Sequence, residues 1–193
     1  MVFLVRHGES EWNVAYKELG KDPGIRDAPL TETGHRQVAE TAQRLRDEKH
    51  DLRRIVASPL TRALQTAHIL AEALDLPVTV EPLVVEQIWF SCDEGTPRSE
   101  LADAWPHLDF EHLDEYWWGP LTETEAQMLK RCARFRTLMA EAHDWPHVVV
   151  ASHWAFIKGL TGNDTVNAGI VRFDPNAEPH KPDTALGEPG GGL

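Results

Sequence analysis

Three short apolar runs, each ending in a polar cluster, set the layout of this chain. Val2-Phe3-Leu4-Val5 leads straight into Arg6-His7-Gly8. Arg54-Ile55-Val56-Ala57-Ser58 ends in a Ser58-Pro59 turn and opens a helical stretch with Arg62 in its first turn. Val148-Val149-Val150-Ala151 ends in Ser152-His153. Continuous apolar runs of this length read as strands buried on both faces, the signature of a parallel sheet. Ligands of open α/β sheets bind beyond the carboxyl ends of the strands. If the three strands are parallel, Arg6, His7, Arg62 and His153 share one edge and surround one pocket.

The intervening segments alternate with these strands. Thr31 is placed to cap a helix that runs to about Lys49 and buries Val38, Ala42 and Leu45 at helical spacing. Gly34 in its first turn costs helix stability, which points to close packing there. A second helix is predicted over 61–74, with Ala63, Ala67, Leu70 and Leu74 inward. A third runs over 122–143, where Met128, Leu129, Cys132, Phe135 and Met139 keep the i, i+3, i+4 rhythm. A fourth covers 154–160. Residues 78–83 read as a short strand and 167–173 as an edge strand. The stretch 11–30, with Gly20, Pro23, Gly24 and Pro29, reads as loop. The stretch 86–121 is irregular, with a short helix near 98–105. From Asp174 onward Pro, Gly and charge dominate, so residues 1–174 are expected to form one domain and 175–193 a disordered tail.

Composition narrows the class. With 193 residues, 41% hydrophobic and 26% charged, the chain reads as a soluble globular domain. Its formal net charge of -12 argues against nucleic acid and anionic membrane as partners. The two cysteines, Cys92 and Cys132, lack metal-ligand or disulfide spacing and are expected to be reduced thiols in a cytoplasmic protein. No apolar run approaches a membrane span of ~20 residues. Oligomeric state leaves no mark in the sequence.

On so acidic a chain, two arginines and two histidines at one sheet edge stand out. A neutral imidazole can attack phosphorus, and adjacent guanidiniums keep His7 neutral by like-charge repulsion. Its second ring nitrogen needs an acceptor, such as a backbone carbonyl, to fix the tautomer. Arg6 and Arg62 suit phosphoryl oxygens through charge-assisted bonds, and His153 suits a hydrogen bond to the transition state. His153 also reads as a simple helix cap, Arg62 as a salt-bridge partner and Asn13 as a turn residue. A phosphoester leaving group needs a proton; Glu86, just past the third strand, is the candidate acid, with Asp93 and Glu94 as rivals. Two histidines among arginines make a poor cation site, so no metal and no cofactor are expected.

These residues fall into motifs. Arg6-His7-Gly8-Glu9-Ser10 with Trp12-Asn13, Leu30-Thr31-Glu32-Thr33-Gly34, Ser58-Pro59-Leu60-Thr61-Arg62-Ala63 with Gln65-Thr66-Ala67, and Ser152-His153 together resemble the histidine phosphatase (phosphoglycerate mutase-like) superfamily, in order, from Val2 to about Phe173. The resemblance implies a three-layer α/β sandwich with a mainly parallel central sheet, an antiparallel edge strand and helices on both faces. It implies His7 as phosphorylated nucleophile, His153 as its partner, Arg6 and Arg62 with Asn13 as phosphate binders, and Glu86 as general acid. The segment Ile88-Trp89-Phe90-Ser91-Cys92-Asp93-Glu94-Gly95 stands where members commonly carry a Gly-x-Trp-Glu-Gly-like stretch. The basic insertion of cofactor-dependent mutases is absent, with Arg98 the one Lys or Arg between Glu86 and Thr122. The expected activity is therefore metal-independent hydrolysis of a small phosphorylated metabolite, of the histidine acid phosphatase type, through a phosphohistidine. A phosphoglycerate mutase-type phosphotransferase and a catalytically idle phosphate-binding protein are the alternatives.

Overall fold

The structure, a computed structural model, describes residues 1–120 and 122–179. In chain order the elements are β1 (Val2–Arg6), α1 (Glu11–Leu19), α2 (Glu32–Asp47), β2 (Arg54–Ala57), α3 (Thr61–Leu74), β3 (Val78–Val80), α4 (Arg98–Ala104), α5 (Glu125–Glu141), β4 (Val148–Ser152), α6 (Trp154–Thr161) and β5 (Ile170–Phe173). They build a five-stranded sheet in the order β3-β2-β4-β1-β5. The first four strands run parallel and β5 pairs antiparallel to β1. The mainly parallel sandwich with one antiparallel edge is the expected fold.

Successive strand residues feed opposite faces. Phe3, Val5, Ile55, Ala57, Val149 and Ala151 pack against the inward sides of α2 and α3. Val2, Leu4, Val56, Val148 and Val150 pack against α5 and α6. Covering both faces explains why these strands are apolar at every position. Truncating a fully buried residue such as Leu4 to Ala would cost about 2–5 kcal/mol. The register aligns the strand ends: Arg6 lies opposite Ser152, and Ala57 opposite Ala151.

One segment differs from the sequence reading. Residues 11–19 form helix α1 instead of loop. Ser10 and Asn13 make a capping box, in which each side chain receives the other's backbone N–H. The breakers act only from Gly20, whose positive φ closes the helix. Strand β3 also ends early, because Glu81 accepts the N–H of Leu83 and Pro82 starts a 3-10 turn over Pro82–Val84.

Thr31 caps α2 as expected, accepting the Gly34 N–H. A Cβ on Gly34 would collide with the Glu9 carbonyl, and one on Gly8 with the Gly34 carbonyl. The two glycines therefore let α2 press against the segment that follows His7. Past β5, Arg136 donates to the carbonyls of Asp174, Pro175 and Ala177. Most of the expected disordered tail, residues 180–193, lies outside the described residues.

Candidate active site

At the end of β1 the main chain continues the sheet by one step. His7 N donates to Ser152 O at 2.9 Å, and His7 O accepts from Ala168 N at 3.1 Å and Asn167 Nδ2 at 3.2 Å. This clamps the His7 backbone between the end of β4 and the loop at 167–168. Its side chain is 3% exposed, and Nδ1 lies 2.7 Å from Gly8 O. A carbonyl only accepts, so Nδ1 carries the hydrogen and Nε2 presents its lone pair. Burial, then Arg62 and Arg6, drives the His7 pKa well below its ordinary 6.5, so the ring is neutral.

Both arginines are buried and oriented by carbonyls. Arg6 donates through Nη1 to Thr165 O at 2.9 Å. Burial, against Glu86 and together with Arg62, lowers its pKa to about 10, which leaves it charged at neutral pH. Arg62, in the first turn of α3, donates to Cys92 O at 2.7 Å and to Asp93 Oδ1 at 2.9 Å. Asp93 also accepts the N–H groups of Trp89 and Phe90 through Oδ2. Its carboxylate thus braces Arg62 and the 89–93 turn, and burial, against the pull of Arg62, raises its pKa.

Glu86 makes contacts of a different kind. Oε1 accepts the N–H groups of Gln87 at 3.0 Å, Ala155 at 2.9 Å and Phe156 at 3.3 Å, the latter two at the start of α6. With Oε1 saturated by donors, a proton on this carboxyl belongs on Oε2. Burial and the charge of Asp93 raise its pKa above the usual 4.5, against the pull of Arg62 and Arg6. Glu94 instead pairs with the exposed Arg26 at 2.7 Å.

These groups share one cavity. Arg6, His7, Asn13, Arg62, Glu86 and Asp93 form its polar lining, and Trp12, Phe90, Cys92 and Trp154 its apolar walls. Its cavity volume is about 50 Å³, several times the space that one water molecule requires. His153 lies behind the lining, fully buried, with its ring centroid 5.2 Å from that of His7. Burial, then Arg62 and His7, lowers its pKa well below 6.5. Asn13 reaches the cavity from the cap of α1, where Oδ1 accepts Ser10 N and Asn167 Nδ2. Among the described residues no group of three or more His, Cys, Asp or Glu is placed to hold a metal ion. Two guanidiniums in one cavity with a neutral imidazole and carboxyls of raised pKa are equipped to bind a phosphoryl group and exchange it.

Sequence reasoning did not find the supports of the outer wall. Arg131 on α5 donates to the carbonyls of Leu83, Val85 and Glu86 at 2.8–2.9 Å and pairs with Glu123 at 2.6 Å. Asp22 accepts from Trp12 Nε1 at 3.0 Å and from Ser91 N and Oγ at 2.8 and 2.6 Å. Asp27 accepts from Thr61 and Thr96 through both backbone N–H groups and both hydroxyls. No motif or periodicity marks these three residues.

Comparison with known proteins places the chain among phosphatases and mutase-like proteins. The sequence model of the histidine phosphatase superfamily, branch 1, matches residues 2–166. The chain is 35% identical over 159 residues to an uncharacterized phosphatase, PhoE, of Bacillus subtilis, spanning 82% of this chain and 74% of that one. It is 42% identical over 85 residues to a probable phosphoglycerate mutase, GpmB, of Photorhabdus laumondii, spanning 44% of this chain and 37% of that one. Among solved structures, a mutant phosphoserine phosphatase from Entamoeba histolytica in complex with phosphoserine is 26% identical with a TM-score of 0.58, covering 88% of this chain and 87% of that one. The ecdysone phosphate phosphatase of Bombix mori shares the fold at 21% identity and a TM-score of 0.61, covering 83% and 75%.

Proposed function

The chain belongs to the histidine phosphatase superfamily, and on that premise we propose that it is a metal-independent phosphomonoesterase acting through a phosphohistidine on a small phosphorylated metabolite. One observation carries the reading: a buried, neutral His7, hydrogen-bonded through Nδ1 to Gly8 O, shares one cavity with two guanidiniums. Arg6 and Arg62 bind the phosphoryl oxygens and draw charge from phosphorus. His7 Nε2 attacks in line, forming the N–P bond as the P–O bond to the leaving group breaks. Glu86 Oε2 gives its proton to the departing oxygen, and His153 donates a hydrogen bond to the pentavalent transition state. In the second half, ionised Glu86 takes a proton from water. The water oxygen attacks phosphorus, the N–P bond breaks, and phosphate leaves.

The mutase alternative needs a cation for the second charged group of a phosphorylated acid. Among the described residues lining the cavity, Arg6 and Arg62 are the only Lys or Arg side chains. That favours transfer to water. A cytoplasmic setting is supported by the free, buried Cys92 and Cys132, and no described helix is long and apolar enough to cross a membrane. The test is a panel of phosphorylated metabolites and an aryl phosphate, assayed in chelator for both phosphate release and isomerised product. Release of phosphate with no isomerisation is expected. Isomerisation of a phosphorylated acid in preference to release would favour the mutase, and failure to turn over even the aryl phosphate would favour an idle binding protein.

A further inference from the structure

We propose that Ser58 is a positioning residue that holds the hydrogen of His153 on Nδ1, so that the two imidazoles of the site share the Nδ1–H tautomer but leave opposite nitrogens for the substrate. His7 then offers a lone pair on Nε2 while His153 offers an N–H on Nδ1. The proposal rests on the reading above, in which His153 donates to the transferring phosphoryl group.

The argument is a count of donors and acceptors. Ser58 follows the last residue of β2 and is fully buried, as is His153. Ser58 Oγ has two hydrogen-bond partners among the described residues: the backbone N–H of Leu60 at 3.3 Å and His153 Nε2 at 2.8 Å. The Leu60 N–H is only a donor, so it occupies a lone pair of Oγ and leaves the hydroxyl hydrogen unassigned. Among the described residues, Nε2 is the remaining partner of Oγ, and it is able to accept a hydrogen bond. The hydroxyl therefore donates to Nε2, and the single hydrogen of the neutral ring sits on Nδ1.

The opposite tautomer is worse by inspection. With the hydrogen on Nε2, that nitrogen would donate to Oγ. The buried hydroxyl hydrogen would then point at nothing, and Nδ1 would be a buried acceptor without a donor. Two polar groups would be orphaned instead of one, and buried orphans are costly. In the proposed tautomer the single orphan is Nδ1–H, and Nδ1 is indeed buried without a partner. An unsatisfied N–H kept next to His7 is a donor in waiting for an anionic oxygen. Since Nε2 is occupied by Ser58, Nδ1 is also the only nitrogen His153 has left for the phosphoryl group.

Ring neutrality fits this arrangement, because burial and the flanking Arg62 disfavour a second proton on His153. The two histidines thus have parallel devices with inverse results. Gly8 O is an acceptor and places the hydrogen of His7 on the nitrogen away from phosphorus. Ser58 Oγ is a donor and places the hydrogen of His153 on the nitrogen left for the substrate.

Two-bond 1H–15N correlation spectra of enzyme labelled at histidine nitrogen read the tautomers directly, with His153→Asn assigning the signals. Wild type should show His153 protonated at Nδ1 and His7 likewise. Ser58→Ala should shift His153 toward the Nε2–H form or a mixture. It should lower kcat by roughly 10- to 100-fold with little change in KM, the scale of outer-shell partners of functional histidines. Ser58→Thr, which keeps the hydroxyl, should restore the spectrum and most of kcat. A wild-type His153 protonated at Nε2 overturns the proposal without any variant, as does a Ser58→Ala enzyme with unchanged tautomer and kcat. If phosphohistidine still forms on His7 in that case, the reading of the site survives and only the role of Ser58 falls. If wild type forms no phosphohistidine, the reading itself fails.

Discussion

The two walls of the cavity are held in different ways. The inner wall carries Arg6, His7, Arg62 and, behind the lining, His153, at or just past the ends of β1, β2 and β4. Main-chain register fixes it: a shift of one residue between β1 and β4 would take His7 off Ser152 O. The outer wall, 86–94, has only a 3-10 turn over Ser91–Asp93. Side chains from elsewhere hold it: Arg131 grips the backbone at 83–86, Asp22 grips Ser91, and Arg62 grips Asp93 and Cys92 O. Main-chain hydrogen bonds hold His7, the proposed nucleophile. A wall pinned by side chains can be altered one contact at a time, and Glu86, the proposed proton donor, sits on that wall.

The contrast predicts graded losses. His7→Ala removes the nucleophile from the inner wall. Activity should fall to background, a loss on the order of 10⁶-fold, with thermal unfolding little changed. Any variant retaining measurable turnover of an aryl phosphate above background would mean that another atom attacks.

Glu86→Gln should cost about 10²–10⁴-fold with esters of poorly acidic alcohols and less in the phosphorylation step with very acidic leaving groups. The pH profile sharpens this. The phosphorylation step needs Glu86 protonated, and its pKa is raised above 4.5, so kcat/KM should decline as pH climbs through the raised value. It also needs His7 neutral, and that pKa is depressed, so the acid limb should fall well below 6.5. Glu86→Gln should erase the alkaline limb and keep the acid one. Loss of that limb in Asp93→Asn, with Glu86→Gln retaining it, would move the acid to Asp93.

Arg131→Met tests the outer wall without touching the cavity lining. It strips donors from three carbonyls and leaves Glu123 unpaired where both side chains are at most 14% exposed. Stability should drop by about 3 kcal/mol in denaturant unfolding. The displaced Glu86 should lower kcat by roughly 10- to 100-fold. Unchanged kcat in the folded variant would show that Arg131 does not position the acid.

Asp22→Ala should have the smallest effect. It frees Ser91 and the Trp12 indole at the cavity mouth. A rise in KM of up to about tenfold is expected, from the loss of contacts worth about 1 kcal/mol each, with kcat nearly constant. A fall in kcat larger than the rise in KM would place Asp22 in the chemistry instead of the rim.

The same division explains what the sequence revealed. The inner wall is encoded locally: an apolar run reports a strand, and the next residues are the site, so His7, Arg62 and His153 could be placed together before any coordinates. Glu86 followed from its position past a strand. The outer wall is encoded in pairs far apart, such as Asp22 with Ser91 and Arg131 with Val85, and no periodicity records such a pair. Asp93 shows the consequence. It read as a rival acid, and its ion pair with Arg62 and its two backbone donors are contacts that no spacing records. Helix α1 was hidden for a smaller reason: Asn13 looks like a turn residue, and its role in the Ser10 capping box shows only once Ser10 is seen to start a helix.

The most direct measurement is the chemical identity of the intermediate. Enzyme mixed briefly with labelled substrate and quenched in base should carry label in an acid-labile, base-stable linkage, and peptide mapping should place it on His7. Pre-steady-state formation of that adduct at or above kcat is the predicted result. Label on a serine, label on His153 in place of His7, or no adduct while phosphate is released in a burst would contradict the account.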